Sequence, residues 1–130
     1  MIYDNEFDYE AKLILAVFGE CENCSYFEKI LVACVGWNRF RKRKFFNGIE
    51  KDFLGYKRNI KIDNPLSRES FIDTVKAVKD ARILTHEMKP KFSEIYFFNL
   101  HGQLPKTRLE VKEIFFKKET KHHFFTITNF

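Results

Sequence analysis

The chain has 130 residues, of which 45% are hydrophobic, and it carries a formal net charge of +5 at pH 7. This length suits one domain with a real core, and the hydrophobic content argues against disorder. No run of apolar residues approaches the ~18–20 that a membrane-spanning helix needs. We therefore predict a single domain over residues 1–130 that does not insert into a membrane.

An apolar segment, L-I-L-A-V-F at residues 13–18, predicts the first helix. This helix should span residues 8–18 with Asp8 as its N-cap, and Gly19 and Glu20 follow at its end. Glu20 thus lies where a buried helix meets a polar loop. Partial burial disfavours the charged form of a carboxylic acid, so an acid in this place can donate a proton in catalysis. The alternative is a solvated residue at a helix end without a chemical role.

Cys21 and Cys24 follow Glu20 in a C-x-x-C motif, which can be a redox pair, half of a zinc site or a disulfide clip. No thioredoxin-like strand and helix surround the motif, and no second C-x-x-C or H-x-x-x-H is present. The only clustered candidates for further zinc ligands are His122 and His123. We therefore predict a local disulfide clip, no metal site and no cofactor.

Two further helices are predicted. Ser25 and Glu28 form a capping-box pattern, so the second helix should begin at Ser25, and Cys34 should be buried on its apolar face. Residues 45–65 contain Asn-Gly, Gly and Asn-Pro signals, which indicate loops. The third helix, over residues 67–84, should have one apolar face, formed by Phe71, Ile72, Val75, Val78 and Ala81.

Three aromatic and β-branched segments at residues 94–99, 108–116 and 122–128 predict short strands, which we expect to pair antiparallel. Helices first and strands last indicate an α+β domain. The chain also has 16 Phe and 5 Tyr residues. Most of this aromatic surface suits a core, but part of it can line a groove in which sugar rings stack.

Five cations lie close together where the second helix should end: Arg39, Arg41, Lys42, Arg43 and Lys44. Such a cluster favours a polyanion, although cations also suit the C-terminal end of a helix dipole. One alternative function is therefore a basic nucleic-acid-binding protein without catalytic activity. The aromatic residues lie in helix and strand patterns rather than between the cations, so we expect no nucleic-acid partner.

F-G-E at residues 18–20 and L-V-A-C-V-G-W-N-R-F at residues 31–40 resemble segments of the SleB/CwlJ-type cell wall hydrolases, which include spore-cortex-lytic enzymes. The corresponding segments of that family are Y-G-E-A-R-G-E and a V-A-x-V-x-x-N-R-V helix. I-Y-F-F-N at residues 95–99 resembles L-Y-F-Y-N-P, and H-H-F-F at 122–125 resembles H-x-F-Y. The chain departs from the family at residues 21–24, where the family's Arg and second Glu are absent, and at Leu100, where Pro is expected.

The resemblance implies a lysozyme-like fold and cleavage of peptidoglycan glycan strands by a lytic transglycosylase. In this chemistry the muramyl 6-hydroxyl attacks the anomeric carbon and leaves a 1,6-anhydromuramyl end. One glutamate acts first as acid and then as base, so neither a metal nor a second carboxylate is required. Simple hydrolysis, which usually takes two carboxylates, is the other possibility; Asp52 and Asp63 are then candidates for the second one.

The resemblance also implies roles for five residues. Glu20 matches the catalytic glutamate, and the proposed substrate-binding residues are Asn38, Tyr96, Asn99 and His122. Helix capping by Asn38 and structural roles for Tyr96 and His122 are the competing interpretations. A relative that binds peptidoglycan without cutting it is a further alternative.

The acidic start of the chain, M-I-Y-D-N-E, lacks the basic and then apolar pattern of a signal peptide. This start predicts a protein that is made in the cytoplasm, and the resemblance implies that it acts in the periplasm or on the cell wall. A phage lysis enzyme that is released through a membrane hole fits this expectation, as does a bacterial enzyme trimmed of its leader.

Overall fold

The computed structural model describes residues 5–57 and 60–130. Four α-helices precede three β-strands, so the described fold is mixed and confirms the α+β prediction. The elements are α1 (Glu6–Cys21), α2 (Tyr26–Arg41), α3 (Ile49–Asp52), α4 (Pro65–His86), β1 (Ile95–Asn99), β2 (Val111–Ile114) and β3 (His123–Ile127), with a 3-10 turn at Arg43–Phe45. Residues 1–4, on which the prediction about a signal peptide partly depends, and residues 58–59 of the predicted loop lie outside the described residues.

Local capping determines where the first two helices begin. Ser25 caps α2 by accepting a hydrogen bond from the Glu28 N–H, as predicted. The prediction of Asp8 as the N-cap of α1 is wrong, because Asn5 takes that place and its side chain accepts from the Asp8 N–H at 2.9 Å. The helix α1 also continues three residues further than predicted, so Glu20 lies within its last turn.

The segment predicted as loops contains the one-turn helix α3, and α4 begins earlier and ends later than predicted. Its buried face includes Val78 and Ala81, but Ile72 is 56% exposed, contrary to the prediction. Thr74 and Thr85 are buried on that face instead. Both are tolerated there because each hydroxyl donates to a backbone carbonyl four residues earlier.

The three strands form one antiparallel sheet in the order β1-β3-β2, which confirms the predicted pairing. The central strand β3 buries Phe124, Phe125 and Ile127. Phe98 of β1 pairs with Phe124 across the sheet. Phe98 also lies close to the residue just before β3, His122, with ring centroids 5.4 Å apart.

The helix α2 lies at the centre and packs against α1, α4 and β1. Its Trp37 side chain donates to the Val78 carbonyl of α4 at 2.9 Å, and Tyr9 of α1 donates to its Gly36 carbonyl. The Asn38 amide donates to the carbonyls of Phe92 and Ile95 at 2.8 and 2.9 Å. These bonds connect α2 to the first half of α1, to α4 and to the segment around β1. In the described part of the chain, we find no helix with the length and apolar character to cross a membrane.

Candidate active site

Glu20 lines a cavity of about 260 Å³ between the end of α1, the α3 region and the sheet. The other lining residues come from α2, the α3 region, β1 and the segments that follow β1 and precede β3. They are Arg39, Asp52, Leu54, Phe98, Asn99, Leu100, His101 and His122. The cavity therefore combines acidic, basic, imidazole and aromatic groups.

The loop after α3 is held against the Glu20 side chain. The Gly55 N–H donates to Oε1 of Glu20 at 2.5 Å, and Glu20 has no other side-chain hydrogen bond within residues 5–57 and 60–130. A Cβ atom built on Gly19 would lie 1.7 Å from the Gly55 carbonyl oxygen, so only glycine permits this approach. The contact orients one carboxylate oxygen and leaves Oε2 without a described protein partner.

Asp52 places a second carboxylate on the same cavity. Its Oδ2 accepts the N–H groups of Asn47 and Gly48 at 3.0 and 3.2 Å and lies 3.7 Å from Nη1 of Arg39. The Arg39 Nε in turn donates to the Tyr96 carbonyl at 2.7 Å. Burial lowers the pKa of Arg39, and the negative charge of Asp52 opposes that shift. The pair therefore keeps a cation buried beside the cavity.

A second cavity, of about 380 Å³, adjoins the first because Arg39 and Asp52 line both. Its wall carries aromatic rings and cations. The remaining lining residues are Phe45, Phe46, Asn47, Lys51, Phe97, Lys106, Thr107 and Leu109. Together the two cavities, which we call the groove, offer room for a ligand longer than one ring.

His122 is buried where the groove meets the Cys21–Cys24 loop. Its Nδ1 is bonded to Glu28 Oε2, and its backbone N–H donates to the same oxygen at 3.2 Å. The other Glu28 oxygen accepts the Lys121 N–H at 2.7 Å. This arrangement fixes the ring orientation of His122 at the cavity wall.

The structure brings three of the five predicted site residues to one cavity, namely Glu20, Asn99 and His122. The Asn99 side chain is bonded to the following loop, with its amide donating to the Gln103 carbonyl at 2.7 Å. Asn38 and Tyr96 do not line this cavity. Asn38 connects α2 to the segment around β1.

Tyr96 lies instead against two other aromatic rings. Its ring stacks on Phe46 and meets the edge of Phe130, with centroid distances of 6.2 and 4.8 Å. Burial raises the pKa of Tyr96. Tyr96 therefore contacts Phe46, which lines the second cavity of the groove, and does not lie in the cavity of Glu20.

Sequence reasoning missed Arg39 and Glu28 as parts of the site. In the sequence, Arg39 belongs to the basic cluster and to the family-like segment 31–40, and Glu28 is half of a capping box, but neither pattern indicates a place in the site. Asp52 was named, but nothing in the sequence distinguished it from Asp63. The signal that could have found Asp52 is the Asn47-Gly48 turn before it, whose two N–H groups the carboxylate accepts.

The basic cluster divides into one buried and four exposed cations. Arg39 is buried, whereas Arg41, Lys42, Arg43 and Lys44 are exposed. The charge of each exposed cation lies over an aromatic ring, at 5.0–5.9 Å from its centroid. This edge of the molecule thus presents ordered positive charge.

The structure also bears on the three cysteines. Cys21 and Cys24 form a disulfide, which confirms the predicted clip. Cys34 is a free, buried thiol, also as predicted. Burial raises its pKa.

In comparisons with known proteins, no family model matches this chain, and neither a curated protein nor a solved structure matches it.

Proposed function

We propose that this protein is a lysozyme-like lytic transglycosylase that cleaves the glycan strands of peptidoglycan, with Glu20 as its single acid and base. The observation that carries the proposal is the placement of Glu20 in the groove, with Oε1 held by Gly55 and Oε2 without a described partner. The resemblance to SleB/CwlJ-type cell wall hydrolases, which includes the Gly19-Glu20 pair among several motifs in the same order, supports it.

The groove suits a sugar polymer. The rings of Phe46 and Phe97 are partly exposed in its wall beside the Arg39 guanidinium, and Lys51 and Lys106 lie on the same wall. Peptidoglycan carries carboxylates on its lactyl and peptide groups, which these cations would attract. The volumes of the two adjoining cavities, about 260 and 380 Å³, would accommodate more than one sugar ring.

In the proposed reaction, Glu20 donates its proton to the glycosidic oxygen as the bond from that oxygen to the muramyl C1 breaks. The 6-hydroxyl oxygen of the same muramyl residue then bonds to C1, and its proton passes to the Glu20 carboxylate. Glu20 is thereby reprotonated, and no water is consumed. The products are a 1,6-anhydromuramyl end and a new glycan hydroxyl.

A second candidate function is hydrolysis with Asp52 as the other carboxylate. It is favoured by one observation, that Asp52 lines the same cavity as Glu20. Asp52 would have to position a water molecule or attack C1. Its Oδ2 already accepts two backbone N–H groups and faces Arg39, which supports a structural role.

The test is mass spectrometry of purified sacculi after incubation with the wild-type protein, Glu20→Gln and Glu22→Gln. Glu22 is a matched control, because it lies two residues away and does not line the groove. We expect anhydromuramyl products, which are lighter by one water than hydrolysis products. The rate at which these products form should fall at least ~10²-fold in Glu20→Gln and should not fall in Glu22→Gln. Reducing ends would favour hydrolysis. Sacculus binding without products would indicate the inactive relative.

A further inference from the structure

Four potential metal ligands meet behind the wall of the groove. The ligand atoms of Cys21, Cys24, Glu28 and His122 all lie within 4.8 Å of one another. Cys21 ends α1, Cys24 lies in the loop, Glu28 is in the first turn of α2 and His122 precedes β3. All are buried except Cys24, which is partly buried. Three separate parts of the fold therefore place a mixed sulfur, oxygen and nitrogen donor set at one point.

We propose that the reduced form of this protein binds one Zn²⁺ through the two thiolates, the Glu28 carboxylate and the His122 imidazole. Zinc takes four such ligands in a tetrahedron, with sulfur at about 2.3 Å and nitrogen or oxygen at about 2.0–2.2 Å. Ligand atoms in that geometry are about 3.3–3.8 Å apart. The more distant atoms of the cluster, which all lie within 4.8 Å of one another, would therefore move together by up to about 1 Å. The two sulfur atoms, now bonded in the disulfide, and the bonded pair His122 Nδ1 and Glu28 Oε2 would move apart. Two thiolates disfavour Mg²⁺ and Ca²⁺, which prefer oxygen ligands.

Two of the ligands are already held in place. The Glu28 carboxylate accepts the backbone N–H groups of Lys121 and His122 at 2.7 and 3.2 Å. The His122 ring lies against Phe98, and its Nδ1 bonds to Glu28, a contact between two ligands that a metal bound between them would replace. The backbone hydrogen bonds to Glu28 are of the kind that orients a metal ligand and strengthens binding.

Glu28 is the ligand that the sequence did not offer. Its capping-box position suggests a side chain that turns back toward Ser25, yet both oxygens bond to residues 121 and 122. With His122 and two cysteines alone, a zinc site lacks a fourth ligand. Glu28 completes the set of four.

The disulfide and the metal exclude each other, because the same two sulfur atoms serve both. A dithiol reductant opens the disulfide by thiol–disulfide exchange, supplies two electrons and itself becomes a cyclic disulfide. Cys21 and Cys24 then carry two thiol protons, and Zn²⁺ displaces both as it binds. The site is therefore a zinc site in reducing surroundings and a disulfide in oxidising ones.

The location of the cluster connects it to the groove without depending on the proposed function. His122 lines the cavity that Glu20 also lines, and Cys21 directly follows Glu20 in the chain. Binding of zinc would thus fix the end of α1 and the cavity wall together. Metal binding can be measured whether or not the protein cleaves peptidoglycan.

The test is titration of the full chain with Co²⁺, followed by displacement with Zn²⁺. The protein is reduced with a dithiol, freed of it under inert gas, and compared with its oxidised form. We expect one Co²⁺ per chain in the reduced protein, with thiolate-to-metal charge-transfer and tetrahedral visible bands, and none in the oxidised protein. Zn²⁺ should abolish the bands.

Variants then assign the ligands. Glu28→Gln and His122→Asn should weaken Co²⁺ binding at least tenfold, whereas His123→Asn should not, because the His123 ring bonds to Glu113 instead. If circular dichroism shows that His122→Asn is unfolded, Cys24→Ser takes its place in the test. Cys24→Ser should lose about half of the intensity of the thiolate-to-metal charge-transfer bands. A reduced protein that takes up no Co²⁺, or equal binding by wild type, Glu28→Gln and Cys24→Ser, would overturn the proposal.

Discussion

The carbonyl oxygen of Gly55 lies against the α-carbon of Gly19, and the Gly55 N–H donates to the side chain of the next residue, Glu20. Neither glycine has room for a side chain, because a Cβ on Gly55 would likewise lie only 2.7 Å from the Glu20 backbone nitrogen. Two glycines distant in sequence thus allow the loop after α3 to contact the last turn of α1. The orientation of the Glu20 carboxylate depends on this contact.

The first prediction concerns Gly19→Ala. Alanine in place of glycine within a helix normally stabilises a protein by about 1 kcal/mol. Here the new methyl group would overlap the Gly55 carbonyl, so we expect the free energy of unfolding to fall by about 1–3 kcal/mol. Urea denaturation followed by circular dichroism measures this change.

Asn23→Ala is the matched control, because Asn23 is exposed in the loop just after α1. It should change the free energy of unfolding by no more than about 0.5 kcal/mol. A Gly19→Ala protein that is more stable than wild type would show that the loop does not press on α1.

Local signals explain which parts of the fold could be predicted. Ser25 caps α2 through a contact three residues away, and the strands are short segments rich in aromatic and β-branched residues, so both follow from local sequence. The predicted N-cap of α1 was wrong because Asn and Asp are both good N-cap residues, and only the path of the chain decides between Asn5 and Asp8.

Contacts between distant residues explain what could not be predicted. Glu28 and the His122 N–H are 94 residues apart, and Glu20 and Gly55 are 35 apart. No pattern within one helix or strand encodes such a meeting. Glu20 was recognisable from its place at a helix end, whereas Asp52 joins the cavity only because α3 folds back over α1.

The second prediction concerns Asp52→Asn. Asparagine can still accept the N–H groups of Asn47 and Gly48 but removes the charge opposite Arg39. Leaving a buried cation unpaired costs about 3–5 kcal/mol, so we expect a clearly lower melting temperature. Under the transglycosylase proposal, cleavage per folded molecule should change by less than tenfold.

Digestion in ¹⁸O-labelled water provides the measurement for this variant at a temperature where it is folded. Neither wild type nor Asp52→Asn should incorporate label into the new ends. Label in the wild-type products, together with a ~10²-fold or greater loss in Asp52→Asn, would instead identify Asp52 as the second carboxylate of a hydrolase.

The third prediction concerns the exposed part of the basic cluster. Replacing Lys42, Arg43 and Lys44 by Gln removes three positive charges and should weaken sacculus binding at low salt. The difference should shrink at 0.15 M salt, where exposed charges more than about 8 Å apart are screened. Sedimentation with sacculi at two salt concentrations measures the effect, and cleavage of short uncharged glycans should not change.

A second triple variant, Lys61→Gln with Arg68→Gln and Lys76→Gln, lowers the net charge by the same amount at other exposed positions. It should bind sacculi more strongly than the first variant does. Equal loss by both would mean that total charge, not this edge of the molecule, attracts the wall. Tight binding of single-stranded DNA that only the first variant loses would instead favour the nucleic-acid alternative.

The last prediction concerns the pH dependence of stability that comes from Cys34. Burial raises the pKa of this thiol above its unfolded value of about 8.5, so the folded protein keeps a proton that the unfolded chain releases. The stabilisation is complete below about pH 8.5 and is lost as pH rises above it, with a slope of up to about 1.4 kcal/mol per pH unit. Urea denaturation of the oxidised protein between pH 8 and 9.5 should show this slope. The Cys34→Ala protein should be less stable throughout because of the cavity it leaves, and its stability should depend less steeply on pH.

Labelling with iodoacetamide tests the burial of Cys34 directly. The reagent should leave the native protein unmodified at pH 8 and label one thiol per chain in urea, since Cys21 and Cys24 are disulfide-linked. Rapid labelling of the native protein, or identical slopes for the two proteins, would contradict a buried and protonated Cys34.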